Sequence, residues 1–184
     1  HTRSFHVTGV QTCALPISFK GITTDGQVIP GLYELAPDGA PVHQMVDAAS
    51  QLLGLLSSDQ RKALCLPMDA REWRRWNNTE MYVYRYGLRL EELSDSLKSA
   101  VMGVIRASLS QSGFEKTRHV MMANHFLGEL TGNTRVLGEW SYNFTMFGQP
   151  CMDGPWGWQL MGHHLALNCI DRKSTRLNSS HVKR

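Results

Sequence analysis

The chain has 184 residues, 42% of them hydrophobic and 19% charged, which is enough apolar material for one domain with a buried core. No apolar run reaches the roughly 20 residues that cross a bilayer as a helix, so a membrane-spanning helix is excluded and a soluble chain is expected. The formal net charge of +3 would suit nucleic acid or an anionic membrane surface only if it belonged to the folded part.

It does not. Residues 7–17, VTGVQTCALPI, resemble the translation of a common sequencing-library adapter. Residues 171–181, DRKSTRLNSSH, resemble the translation of its reverse complement in another frame. Residues 1–18 and 171–184 are therefore expected to be adapter-derived, and residues 19–170 to be a fragment of a single domain. Arg3, Arg172, Lys173, Arg176, Lys183 and Arg184 fall in these flanks with a single acid, Asp171, so the remainder is slightly negative. Neither nucleic acid nor a membrane is an expected partner. Removing Cys13 leaves Cys65, Cys151 and Cys169, widely separated and odd in number, which argues against a disulfide scaffold or a zinc ribbon and for buried thiols.

In chain order, residues 19–42 mix short apolar pieces with Asp-Gly and Pro-Gly turn signals and predict an extended segment or a small hairpin. Val42, Met45, Val46, Ala49, Leu52, Leu53 and Leu56 then recur at spacings of three and four, the stripe of a core-facing helix. Ser57 stands three residues before Gln60, a capping-box spacing, and predicts a second short helix ending before Pro67. Asp69 and Glu72 repeat the device ahead of EWRRW, where Trp73 and Trp76 share a face as aromatic anchors. Ser94 caps a helix carrying Leu97, Val101, Val104, Ile105 and Leu109 inward until Gly113. A partner helix runs from Phe114 to Gly132, expected antiparallel to it, with Met121 and Met122 as gap-fillers in the core.

After Gly138 the period falls to two. Trp140, Tyr142, Phe144 and Met146 alternate with Ser141, Asn143 and Thr145, predicting a half-buried strand. A turn over GQPCMDGP leads to WGWQLMGHHLALNCI, read as one second strand paired antiparallel to the first. The fold class is α+β: an N-terminal extended segment, several antiparallel helices, then an antiparallel strand pair belonging to an incomplete sheet.

Several of these segments together resemble the family catalogued as domain of unknown function 3500: FKGITTDG at 19–26, EWRRWNN at 72–78, RYGLRLEEL at 85–93, ASLSQSGFEKTR at 107–118, LGEL at 127–130 and, most specifically, FGQPCMDGPWGWQLMGHHLALN at 147–168. The resemblance covers essentially the whole of residues 19–170 and implies that members are longer at both ends. It brings no established reaction with it.

Chemistry is best sought in PWGWQLMGHHLALN. Trp156, Trp158, Gln159, His163, His164 and Asn168 form a polar and aromatic cluster denser than folding alone requires, a candidate cleft for a small-molecule ligand. Read as one strand, the segment places His163 with Gln159, Met161 and Leu165 on one face, and His164 with Trp158, Leu160 and Asn168 on the other. A divalent metal is the candidate cofactor, held by His164 with His125 and Glu129, which are four apart on one helical face, and Glu139. The functional expectation is a small-molecule enzyme, metal-assisted in one version, against a non-catalytic binding or structural domain in which the same His and Trp residues are core. Convergence of His164, Asn168, Trp158 and Glu139 on one open cavity would favour the enzyme; separate packing of each would favour the other reading. GxSxG and GxxxxGK motifs are both absent. Arg85 and Arg89 are expected to pair with Glu91 or Glu92, and Asn77 and Asn143 stand in N-x-Thr sequons.

Overall fold

The computed structural model describes residues 41–75, 79, 83–171 and 176–180. The extended segment expected at 19–42 lies outside them up to residue 40, as do residues 1–18, expected to be adapter-derived, and Trp76 and Asn77. Among the described residues, four helices and a mixed sheet make the α+β architecture.

Helix α1, Val42–Leu55, buries Val42, Met45, Ala49 and Leu52, as its stripe requires. Helix α2, Ser58–Leu64, starts at the capping box: the Ser57 hydroxyl accepts from the Gln60 amide at 3.2 Å, and the Gln60 side chain accepts from the Ser57 amide at 3.0 Å. The chain passes directly into β1, Cys65–Leu66, which lies parallel to β3, Tyr142–Phe147. Arg71–Arg74 form one turn of 3-10 helix after Ala70, with no side-chain cap, so the second capping device expected at Asp69 is not used. Strand β2, Leu88–Arg89, pairs antiparallel with the other half of β3.

Helix α3, Asp95–Ser108, is capped by the Ser94 hydroxyl, which accepts from the Leu97 amide, and it packs along α1. It ends before Gly113, because Ser110 caps a new helix and accepts from the Gly113 amide at 3.1 Å. Gly113 is thus a first-turn residue of α4, Gln111–Thr131, rather than a stop. Gly132, at φ 66°, closes α4 in the left-handed conformation that glycine adopts without penalty.

The sheet has the order β1-β3-β4-β5-β6, with β2 beside β1 on the outer edge of β3. Strands β4, Trp156–Gly162, and β5, Leu165–Asp171, form a hairpin around a two-residue turn, His163-His164. The expected single strand is therefore two. Adjacent strands β3, β4 and β5 are all antiparallel, and β6, Arg176–Ser180, continues the sheet beside β5. The sheet thus runs past the boundary expected at Ile170.

All six residues of β3 are buried, not half of them. One face, with Tyr142, Phe144, Met146, Trp156, Trp158, Leu160, Leu165, Leu167 and Cys169, belongs to the main core with α1 and α3. The other is roofed by Trp73 and Tyr86: Trp73 stacks on Phe147 at 3.7 Å and 17°, and Tyr86 reaches Gln159. Gly157 fits under that roof only without a side chain, since a Cβ there would lie 2.9 Å from the Trp73 ring and 2.3 Å from the Cys169 carbonyl oxygen. Of the two methionines expected in the core, Met121 is buried and Met122 is exposed, because α4 presents a single side to the rest of the fold.

The PWGWQ hairpin as candidate functional site

Period-two alternation along β4 sends Trp156, Trp158 and Leu160 to the helical side and Gly157, Gln159 and Met161 to the roofed side. Trp158 is fully buried, and its indole N–H donates to the Ser108 hydroxyl at 2.9 Å. That hydroxyl in turn donates to the Val104 carbonyl at 2.8 Å, back-bonding within α3. Trp158 is also in tilted contact with Phe144 at 5.8 Å. Trp156 lies beside Asp171 in the ladder and is fully buried; its indole nitrogen has no hydrogen-bond partner.

On the roofed side, the hairpin register places Gln159 directly opposite Asn168. Gln159, 1% exposed, donates from its amide nitrogen to Asn168 Oδ1 at 2.7 Å and to the Trp73 carbonyl at 3.2 Å. Its amide oxygen accepts from the Tyr86 hydroxyl at 3.0 Å. The carbonyls of Glu72 and Arg75 share that one hydroxyl hydrogen with Gln159, so one phenol and one amide bolt residues 72–75 to the centre of the sheet. Asn143 extends the polar layer: its amide donates to the Tyr86 carbonyl at 3.1 Å and its oxygen accepts from Arg89 at 3.3 Å. Arg89 pairs with Glu91 at 2.9 Å, as expected, and Glu91 accepts from Ser141. With Asn143 and Thr145 both buried, that sequon is out of reach of a glycan in the folded chain.

The two histidines sit in the turn, not on a strand, which corrects their assignment to opposite faces. His164 is exposed with φ 56°, and its ring lies 4.0 Å from that of His163. His163 Nδ1 meets Asn124 Oδ1 at 2.8 Å. The Asn124 amide nitrogen is already committed to the Gly138 carbonyl at 2.9 Å, so the oxygen faces the ring and Nδ1 carries the proton that is donated. The Tyr142 hydroxyl donates to the His163 carbonyl at 3.2 Å, and burial raises the Tyr142 phenol far above its ordinary range. His163 thus ties the hairpin tip to α4 and to the turn before β3.

The candidate metal ligands are dispersed in kind. His125 and Glu129 face each other along the exposed side of α4 at 3.6 Å, Glu139 lies 3.9 Å from Arg118, and His164 is at the hairpin tip. Among the described residues, no three His, Cys, Asp or Glu side chains are grouped to hold one ion. Asn168 and Trp158 occupy opposite faces of the sheet. An open hollow of about 450 Å³ lies elsewhere, lined by Leu56, Ser58, Arg61, Lys62 and Cys65. Burial raises the pKa of the Cys65 thiol, against a smaller lowering by Arg61, so it is protonated and a poor nucleophile at neutral pH.

Sequence reasoning missed Tyr86, Ser108, Asn124 and Asn143, the partners that hold the cluster. Tyr86 and Ser108 stand in segments of the family resemblance and Asn143 in a sequon, but none of these patterns says what the side chain meets, and each reaches the hairpin through tertiary structure alone. No described helix is long and apolar enough to cross a membrane. Neither a curated protein nor a solved structure matches the chain. The family model described as protein of unknown function (DUF3500) matches residues 38–179, and the chain belongs to that family.

Proposed function

We propose that this part of the chain is a non-catalytic binding or structural domain, in which Trp156, Trp158 and Gln159 are core, Asn168 is their half-buried neighbour and His163 is a latch. The observation that carries this reading is the commitment of Gln159: both its amide hydrogens are donated inside the fold, and its oxygen lies within hydrogen-bond distance of the Tyr86 hydroxyl. A cleft residue must keep a polar group for its ligand. Trp158 is spent in the same way on Ser108, on the opposite side of the sheet.

Stability measurements discriminate the readings. Residues that serve a reaction tend to cost a fold stability, so their replacement is neutral or stabilising, whereas latches destabilise when removed. Thermal unfolding of Gln159→Ala, Asn168→Ala and His163→Ala is expected to show a lowered midpoint for each. Unchanged or raised midpoints at all three would favour a catalytic cleft. Elemental analysis tests the metal-assisted enzyme: the expected result is no stoichiometric transition metal, and one ion per chain lost on His164→Ala or His125→Ala would restore that reading. On the proposed reading the partners are a protein surface or a small molecule, not nucleic acid or a bilayer, because the charge outside the flanks is slightly negative.

A further inference from the structure

Helix α4 has two apolar faces, and the fold uses one. Phe114, Thr117, Met121, Asn124 and Gly128 point inward. Nearly opposite, Met122, Phe126 and Leu130 follow one another at intervals of four, 51%, 60% and 68% exposed, with Ala123 also exposed beside them. Three large side chains in one row on a long helix form a contiguous apolar stripe, unlike scattered surface hydrophobics. No described element covers it.

The charges beside the stripe identify an occupant. Arg118 and Glu129 are eleven residues apart, about three turns plus 20°, so both lie on the same flank of the stripe. In an antiparallel pair of identical helices related by a twofold axis, like flank meets like flank. An axis at the level of Asn124 sets Met122 of one copy against Phe126 of the other, and Arg118 of each against Glu129 of the other. The Met122–Phe126 contact and the Arg118–Glu129 pair are therefore satisfied by one register, and each is made twice. The existing contacts of these two charges are long and exposed, 3.9 Å from Arg118 to Glu139 and 3.6 Å from Glu129 to His125, and leave both side chains available to a partner.

We infer that the outer face of α4 is a self-association surface, pairing two copies of this chain antiparallel through Met122, Phe126 and Leu130 with reciprocal Arg118–Glu129 bridges. A dimer formed this way is independent of whether the domain is catalytic.

Sedimentation velocity of the full chain over a concentration series tests it, with far-UV circular dichroism confirming that each variant is folded. The expected result is a monomer–dimer equilibrium that Phe126→Glu or Leu130→Glu shifts to monomer by at least tenfold in Kd; both positions are exposed, so folding is expected to survive. Arg118→Glu should weaken the dimer several-fold, and Arg118→Glu with Glu129→Arg should restore it. A protein that stays monomeric throughout overturns the inference, including the case in which a different protein occupies the stripe. A dimer indifferent to Phe126→Glu and Leu130→Glu, or a double charge reversal as weak as Arg118→Glu alone, overturns it equally.

Discussion

Gln159→Leu keeps the volume of the side chain but leaves Asn168 Oδ1 and the Trp73 carbonyl without a donor in a half-buried layer. Stranding buried polar partners costs about 1–3 kcal/mol, so a denaturant midpoint lowered by that amount at unchanged slope is expected from chemical unfolding. Trp158→Ala should cost more, about 3–5 kcal/mol, because it opens a large hole between Phe144 and α3 as well as removing the donor to Ser108. A loss below about 1 kcal/mol in the tryptophan variant would mean that the core does not depend on it. The sequence marks both residues as dense in aromatic and polar groups but cannot say what they touch. Trp158 meets Ser108 across 50 positions and Gln159 meets Trp73 across 86. Pairings of that range are fixed by how elements stack, which no local spacing encodes.

Local signals did fix most helices. The Ser57 capping box and the stripe of α1 are properties of a few adjacent residues, and they appear where the spacing puts them. The hairpin was illegible for the opposite reason. Its turn is made by His-His, without the Asn-Gly or Asp-Gly pair that supplies positive φ cheaply, so the apolar run looks continuous across it. Two strands read as one invert the facing of every residue beyond the turn, which is why Asn168 was placed opposite Gln159 in direction when it is in fact its cross-strand partner. The strained residue offers its own test. His164 at φ 56° carries a conformational cost of about 1–2 kcal/mol that glycine escapes, offset in part by glycine's greater freedom when unfolded. His164→Gly is expected to raise the thermal midpoint or leave it unchanged, and His164→Val to lower it. A large loss in the glycine variant would show that the imidazole itself holds the hairpin.

At the scale of the molecule, two groups respond together to alkaline pH. Burial raises the folded-state pKa of Tyr142 above its ordinary 10.0 and that of Cys65 above 9.0. Below those values both states hold their protons and stability is full. As pH rises past them the unfolded chain releases its protons first, so stability falls with pH from about 9 upward, by at most about 1.4 kcal/mol per pH unit for the phenol. Urea titrations at pH 8 to 11 should trace this limb, and Tyr142→Phe should flatten it while lowering the plateau slightly through loss of the bond to the His163 carbonyl. A limb as steep in Tyr142→Phe as in the parent would remove the phenol as its cause.

The edge of the sheet bears on how much of the chain the fold needs. Among the described residues, the core joins β3, β4 and β5 to α1 and α3 and reaches along β5 as far as Cys169. Strand β6 adds a backbone ladder to β5 on the outer side, and net backbone bonds of this kind, exchanged against water, contribute modestly. We propose that residues 172–184, expected from the sequence to be adapter-derived, are dispensable for folding. A chain ending at Asp171 should keep a single cooperative thermal transition with a midpoint lowered by a few degrees, and should aggregate more readily, because β5 becomes an open edge. Replacing 176–180 by an unrelated strand-forming sequence should recover the midpoint and suppress the aggregation, since an edge ladder asks for backbone and not for particular side chains. Loss of cooperativity on truncation, unrepaired by any replacement strand, would make the particular side chains of β6 part of the core.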